Sequence, residues 1–326
     1  MKNPNKAFIE AQRNKNDEFY TFYNDIENEC KHYTKSFKDK IIYCNCDDPT
    51  KSNFFAYFLI NFKKFKLKKL IATHYVPITM NDLWTDQTTA VDDVAYKIEV
   101  TDLEDNITTP EEAFEYAKKY RKELKGDGNC LSDRECLSFL KESNIVVTNP
   151  PFSLMKDFIS LMFEYKKDFL VIGNTNIVSY SSVFPYFKNR QLFFGVSTFN
   201  KGMYFKVPED YEYSENYSAK KEMDGIKVMR VAAIGWFTTL PCSKRIVKPI
   251  NLTAVYNEQD YPKFDNYDAI EVGIVKKIPK DYYDVMGVPT TFLYHWDPDQ
   301  FEVLNCIHQP LVKNKTKFPR IIVKRK

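Results

Sequence analysis

The run Ile145-Val146-Val147-Thr148 constrains this chain more than any other stretch. Consecutive β-branched residues with no polar break read as a strand buried on both faces, and such strands belong to parallel sheets covered by helices. The next residues, Asn149-Pro150-Pro151-Phe152, cannot continue it, because each proline fixes φ and lacks the N–H that a ladder needs. Beyond them Leu154, Phe158, Leu161, Met162 and Tyr165 recur at helical spacing. A buried strand, a rigid turn and an amphipathic helix together predict an α/β fold.

Units of the same kind surround it. Residues 17–33 read as a helix opening on Asp17 and Glu18, acids that suit the positive end of a helix dipole. Ile41-Ile42-Tyr43-Cys44 reads as a buried strand ending in the turn Asn45–Pro49, and Ser52 to Leu59 as a helix. Leu70 to Tyr75, Tyr96 to Val100 and Phe169 to Gly173 are further strand candidates, residues 133–142 a helix, and residues 78–130 a polar excursion. This alternation predicts an open, mainly parallel sheet. Ligands of such sheets sit beyond the carboxyl ends of the strands. The loops Asn45–Pro49 and Asn149–Phe152 both leave strands directly, so they are expected at one crevice. After about residue 180 the pattern changes: Ala233 to Thr238 reads as a strand returning to the first sheet, and the region from 241 onwards as irregular, β-poor structure with Tyr-rich loops.

A length of 326 residues suits about two domains. Net charge is only +3, yet it is unevenly spread. Residues 82–112 are acidic, whereas the stretch after Leu311 carries Lys313, Lys315, Lys317, Arg320, Lys324, Arg325 and Lys326 and no acid. That stretch is either a phosphate-neutralising patch or a solvated tail. Aromatic residues make up 16% of the chain, a surplus that suits stacking on bases as well as a core. The seven cysteines contain no Cys-x2-Cys pair and the four histidines are scattered, so no zinc spacing is present and no metal is expected. The N-terminal stretch has no apolar core of a signal peptide and no run reaches membrane-spanning length. Reduced thiols in a cytoplasmic, prokaryotic protein are the expectation.

Asn149-Pro150-Pro151-Phe152 carries specific chemistry. The Asn side-chain carbonyl and a backbone carbonyl, held by two prolines, can accept both hydrogens of a planar amino group. The lone pair of adenine N6 is delocalised into the ring. Acceptors on its hydrogens draw the nitrogen towards sp3 geometry and free that pair for a methyl held in line at about 3–3.5 Å. The Phe offers a flat face for the base, and a base inside a duplex must be flipped out to reach it. The plain alternative is a rigid strand-to-helix turn with Phe152 in the core.

At this loop the sequence resembles the EcoRI-type adenine-specific DNA methyltransferases, the modification partners of type II restriction–modification systems. The resemblance runs over nearly the whole chain. Besides Ile145 to Phe152 it is carried by Asp17 to Thr21, Tyr43 to Pro49 with Ser52-Asn53-Phe54, and Leu67 to Ala72. Tyr261-Pro262-Lys263, Asp265 to Ile270, Met286 to Pro289 and Thr291-Phe292-Leu293 carry it further. It implies a Rossmann-like S-adenosylmethionine-dependent methyltransferase sheet over residues 1–240 and a smaller target-recognition, DNA-binding region over 241–326. Cofactor motif, catalytic loop and recognition region in that order define the gamma class of amino-methyltransferases. It also implies roles. Phe19, Tyr20 and Thr21 line the methionine end of S-adenosylmethionine, and Asp47, Asp48 and Pro49 form the first cofactor loop, where an acid can hold the ammonium group. The loop near Asp127 reaches the cofactor's adenine, with Asn129 where relatives tend to have an acid. Asn149 and Pro150 grip N6, Pro151 stiffens the loop and Phe152 stacks on the base. Trp236 or Phe237 is a candidate second stacking face, against the reading of both as core. The chain departs from methyltransferases at large in having no glycine before Gly126, and in having Thr73-His74 where most hold the ribose with an acid.

Double-stranded DNA is therefore the expected partner, a monomer the expected state, and GAATTC or a close relative the site implied by the resemblance. RNA or protein amino groups, and a non-catalytic DNA-binding relic, are the alternatives.

Overall fold

A computed structural model describes residues 20–46, 48–76, 94–199, 202–207, 220–245 and 249–326. The chain divides into two compact units, residues 1–174 with 195–242, and residues 175–194 with 243–326.

The first unit contains β1 (Tyr20–Thr21), α1 (Tyr23–Cys30), β2 (Ile41–Cys44), α2 (Asn53–Ile60), β3 (Lys69–His74), β4 (Tyr96–Val100), α3 (Pro110–Tyr120) and β5 (Lys122–Glu123). It continues through α4 (Arg134–Glu142), β6 (Ile145–Thr148), α5 (Met155–Glu164), β7 (Asp168–Asn174), most of β8 (Phe193–Phe199), β9 (Met203–Lys206), β10 (Lys220–Met223), β11 (Ile226–Val231) and β12 (Ile234–Thr238). Its main sheet has the order β5-β4-β3-β2-β6-β7-β12-β8. The centre, β3-β2-β6-β7, is parallel throughout, while β4, β5 and β12 are antiparallel to their neighbours. The expected α/β class holds, as a mixed sheet around a parallel centre, and the strand expected at Ala233–Thr238 does return to it beside β7.

Strand periodicity sorts the core into two layers. Ile42, Leu70, Val147, Leu170, Ile172 and Trp236 pack with Phe54, Phe58 and Leu59 of α2. That helix, Asn-Phe-Phe-Ala-Tyr-Phe-Leu-Ile, is apolar on nearly every side and correspondingly buried. On the other face Tyr43 meets Phe139 of α4 at 6.1 Å between ring centroids, and Phe169 meets Phe163 of α5 at 5.9 Å. Helix starts are set by side chains. Ser52 accepts hydrogen bonds from the N–H groups of Phe54 and Phe55, Asp133 from those of Glu135 and Cys136, and Thr109 forms a capping box with Glu112 behind Pro110.

Two expectations are corrected here. The helix predicted over 17–33 begins only at Tyr23, because Tyr20 and Thr21 pair with Lys206 and Phe205 of β9 as an edge strand of a second sheet, β1-β9-β11-β10. Residues 17–19 lie outside the described residues. The region after 241 is not β-poor. The second unit holds a four-stranded sheet, β13-β14-β18-β15, with β13 at Ile270–Glu271, β14 at Met286–Pro289, β15 at Phe301–Ile307 and β18 at Arg320–Arg325. A hairpin of β16 (Leu311–Val312) and β17 (Lys315–Thr316) precedes β18. Its pattern is concealed physically: Met-Gly-Val-Pro contains two poor strand formers, and a register shift between Val303 and Asn305 breaks the alternation of β15. The unit has its own core around Ile270, Met286, Val288, Phe292, Phe301, Ile321 and Val323.

Candidate active site at the carboxyl edge of the sheet

Because β2, β3, β6 and β7 run parallel, the residues leaving them gather at one edge. The pairs Ile42 with Ile145 and Tyr43 with Val146 carry Asn45 to the level of Thr148. Asn149 follows at once and is 8% exposed. Pro150 is buried, Pro151 and Phe152 are half-buried. The carbonyl of Pro151 accepts from Leu154 N at 2.9 Å, closing a single 3-10 turn that feeds α5. Thus the prolines end the strand and aim the chain into the helix, as their chemistry requires.

The loop after β2 meets two other loops. Asp48 Oδ1 accepts from Thr50 N at 2.9 Å, from Thr50 Oγ1 at 2.7 Å and from the Tyr96 hydroxyl. Burial pushes the Asp48 carboxyl up, but these hydrogen bonds from Thr50 and Tyr96, with the nearby His74, outweigh it and hold the group below the ordinary aspartate value. Burial first, and then the Asp48 charge, push the Tyr96 hydroxyl far up. The rings of His74 and Tyr96 stand 4.9 Å apart. Cys46 Sγ lies 3.4 Å from Cys130 Sγ, which brings the loop of residues 126–133 against the end of β2. In that loop Gly128 has φ +76°, and a Cβ there would stand 2.3 Å from the His74 carbonyl oxygen, so only glycine allows the approach. Asn129 Oδ1 accepts from Leu131 N at 2.9 Å, and Val76 N donates to Asp127 O at 2.9 Å.

A third segment reaches the same edge. Asn53, the first residue of α2, donates from Nδ2 to Thr21 O at 2.8 Å. Thr21 pairs with Phe205, whose ring meets Phe152 edge-on at 6.0 Å. The Tyr20-Thr21 strand, the start of α2 and the Asn-Pro-Pro-Phe loop are therefore linked through named contacts. Here buried polar atoms accumulate: among the described residues, Thr21 Oγ1, Asn45 Nδ2 and Thr148 Oγ1 form no hydrogen bond. Each such atom costs about 1–3 kcal/mol in an otherwise satisfied interior, and a polar ligand at this edge would recover part of it.

The anticipated residues thus separate. Tyr20 and Thr21 connect through Asn53 to α2 and through Phe205 to Phe152; Asp48 and Pro49 follow β2, and the loop of Asn129 meets the end of β2 through Cys130 and Cys46; Phe19 and Asp47 lie outside the described residues. Trp236 and Phe237 are corrected: both are 0% exposed on a strand inside the sheet, and Trp236 packs edge-on against Phe54 at 5.9 Å. A ring enclosed on both faces offers nothing to a base. Asn45 was expected at the crevice but given no role, and Thr148, Tyr96 and Phe205 were not anticipated. A role for Asn45 was findable by the logic that found Asn149, since both are the first residue after a buried strand. Tyr96 and Phe205 sit in short strands whose sequences give no sign of the site.

Among the described residues no helix is long and apolar enough to cross a membrane, and no group of three or more His, Cys, Asp or Glu side chains could hold a metal ion.

Comparison with known proteins identifies the family. The family described as adenine-specific methyltransferase EcoRI matches residues 7–326. The type II methyltransferase M.EcoRI of Escherichia coli is 40% identical over 312 residues, covering 92% of this chain and 89% of its own length. M.MgeORF184P of Mycoplasma genitalium is 40% identical over 307 residues, covering 93% and 87%. M.MpnI of Mycoplasma pneumoniae is 35% identical over 346 positions, covering 98% of both chains. No solved structure matches the chain.

Proposed function

Because this chain belongs to the EcoRI family of adenine-specific methyltransferases, we propose that it transfers a methyl group from S-adenosylmethionine to N6 of a flipped-out adenine in duplex DNA, with Asn149 and Pro150 holding the amino group. It is an adenine-specific DNA methyltransferase of the restriction–modification kind. The cofactor and each residue's role are our reading, and one observation carries them: Asn149-Pro150-Pro151-Phe152 leaves the parallel centre of the sheet beside three buried polar atoms that have no hydrogen-bond partner among the described residues.

The residues present suit S-adenosylmethionine. When bound, it supplies a methyl group on a positively charged sulfur. Thr21, Asn45 and Thr148 offer unsatisfied hydrogen-bonding atoms to its polar groups. Asp48, kept ionised by Thr50 and Tyr96, supplies negative charge beside Pro49. Phe19, Tyr20 and Asp47 complete the methionine end, and Asn129 stands at the adenine end. Asn149 Oδ1 and the Pro150 carbonyl accept the two N6 hydrogens, so the nitrogen lone pair leaves conjugation with the ring. Phe152, braced by Phe205, covers the base. Rate comes from positioning and from acceptors fixed before the base arrives. Such a protein works where prokaryotic DNA is, in the cytoplasm, and one chain carries a complete set of these residues.

The test is partition of label. Purified protein is given S-adenosylmethionine carrying a labelled methyl, together with duplex DNA, RNA or a protein extract. Label entering DNA adenine supports the reading; label confined to RNA or protein overturns it.

A further inference from the structure

Among the large hydrophobic residues described as exposed, one stands apart. Phe318 is 84% exposed, against 57% for the next, Tyr283. An exposed aromatic on a loose tail would mean little, but Phe318 is held. It lies between the β16–β17 hairpin and β18, and both sides are clamped. On one side Arg320 donates from Nη1 to the carbonyls of Phe318 at 3.0 Å and Pro319 at 3.3 Å. The same guanidinium is fixed by a buried pairing with Glu271, Nε to Oε1 and Oε2 at 3.0 and 3.1 Å and Nη2 to Oε1 at 2.5 Å. On the other side Lys317 N donates to Pro310 O at 2.8 Å, and Val312 is buried in a small cluster with Phe264 and Ala269. Pro319 fixes one backbone angle directly after the ring. The side chain is thus presented to solvent on a braced tip.

The surroundings of the tip are cationic. Lys313, Lys315 and Lys317 are exposed, and no ion pair engages them among the described residues. Lys313 and Asn314 form the two-residue turn of the hairpin with φ of +50° and +59°. That turn favours glycine or asparagine at both positions, so a lysine at the first accepts backbone strain while presenting its charge. Asn314 N is tied to Asp265 Oδ2 at 2.7 Å, which fixes the turn. A rigid apolar wedge flanked by unpaired cations matches what proteins present to duplex DNA when they part a base step: phosphate contacts position the tip and the ring enters the stack.

We propose that Phe318 is a wedge that inserts against the base stack of duplex DNA, while Lys313, Lys315 and Lys317 bind the flanking phosphates. This rests on the reading of the chain as a DNA methyltransferase and adds a residue to its substrate contacts. Phe318→Ala should leave the fold and cofactor affinity unchanged, since the ring packs against little. Binding is measured to a synthetic duplex carrying one GAATTC site and to a scrambled duplex, across a range of salt. Phe318→Ala weakens binding about tenfold without changing the dependence of log K on log salt, whereas Lys315→Ala with Lys317→Ala lowers that slope by about two. In duplexes with 2-aminopurine placed at successive steps, wild type and Phe318→Trp raise fluorescence at one step and Phe318→Ala does not. Equal affinity of wild type and Phe318→Ala, or no binding by wild type, overturns the wedge. Binding that depends on Phe318 without any methylation by wild type leaves the wedge standing and overturns the catalytic reading instead.

Discussion

Asn149 is chemically simple: a buried amide at the end of a parallel strand whose carbonyl oxygen is the proposed acceptor. Asn149→Asp keeps an acceptor of the same reach and loses a donor, so it should retain more turnover than Asn149→Ala, as single-turnover methylation would show. Equal loss in both would mean that bulk, not acceptance, is what the position supplies. Asp48 gives a pH prediction. Its carboxyl is held below the ordinary aspartate value in the folded protein, so it contributes stability above the unfolded value, and that contribution fades as pH falls through the folded one. Urea midpoints of wild type and Asp48→Asn should differ at neutral pH and converge as pH drops below about 4; a gap that is constant with pH would contradict this. Asn149 was legible because its neighbours leave few alternatives: four β-branched residues and two prolines permit little but a strand and a turn. Trp236 was not, since an apolar strand with one tryptophan reads alike whether the ring faces a core or a ligand. Tyr96 was hidden because its partner, Asp48, is far away in the chain and meets it only through the pairing of β3 with β4.

At the scale of elements, the parallel centre and β12 are built from apolar strands that announce themselves, while the other strands of the first unit are harder to read. What holds the latter is specific rather than patterned. Glu29 of α1 is fully buried and accepts from Val196 N at 2.9 Å, Ser197 N at 2.7 Å and the Tyr33 hydroxyl at 2.8 Å, so it fastens β8 to the helix layer. Glu29→Ala strands three donors and should cost roughly 2–4 kcal/mol in urea unfolding. A change under 1 kcal/mol would show that water satisfies them. In the second unit, Glu271→Ala leaves the Arg320 guanidinium buried without its carboxylate and should cost about 3–5 kcal/mol. An unfolding curve unchanged by it would remove the brace inferred for the Phe318 tip. Neither tie was readable in advance, because each joins residues distant in sequence through a charge that composition places on the surface.

At the scale of the whole molecule, length suggests two domains but not where they divide, and the two compact units are not separated by a single cut. Residues 175–194, between β7 and most of β8, belong to the second unit. The change of pattern after about residue 180 falls inside this stretch, but nothing in the sequence shows that the chain returns to the first unit at Gly195. The near-neutral net charge also conceals a division of labour, with every charged residue after Leu311 basic. The family gives the class of reaction, and the proposed roles of Asn149 and of the Phe318 tip both belong to it. It is tested most directly by incubating the protein with unmethylated duplex DNA and S-adenosylmethionine, digesting the DNA and measuring N6-methyladenine by mass spectrometry, with Asn149→Ala in parallel. The account predicts N6-methyladenine with wild type and a loss of about 10²–10³-fold with the variant, its unfolding midpoint unchanged. Equal methylation by both proteins, or none by wild type while the cofactor binds, would contradict it.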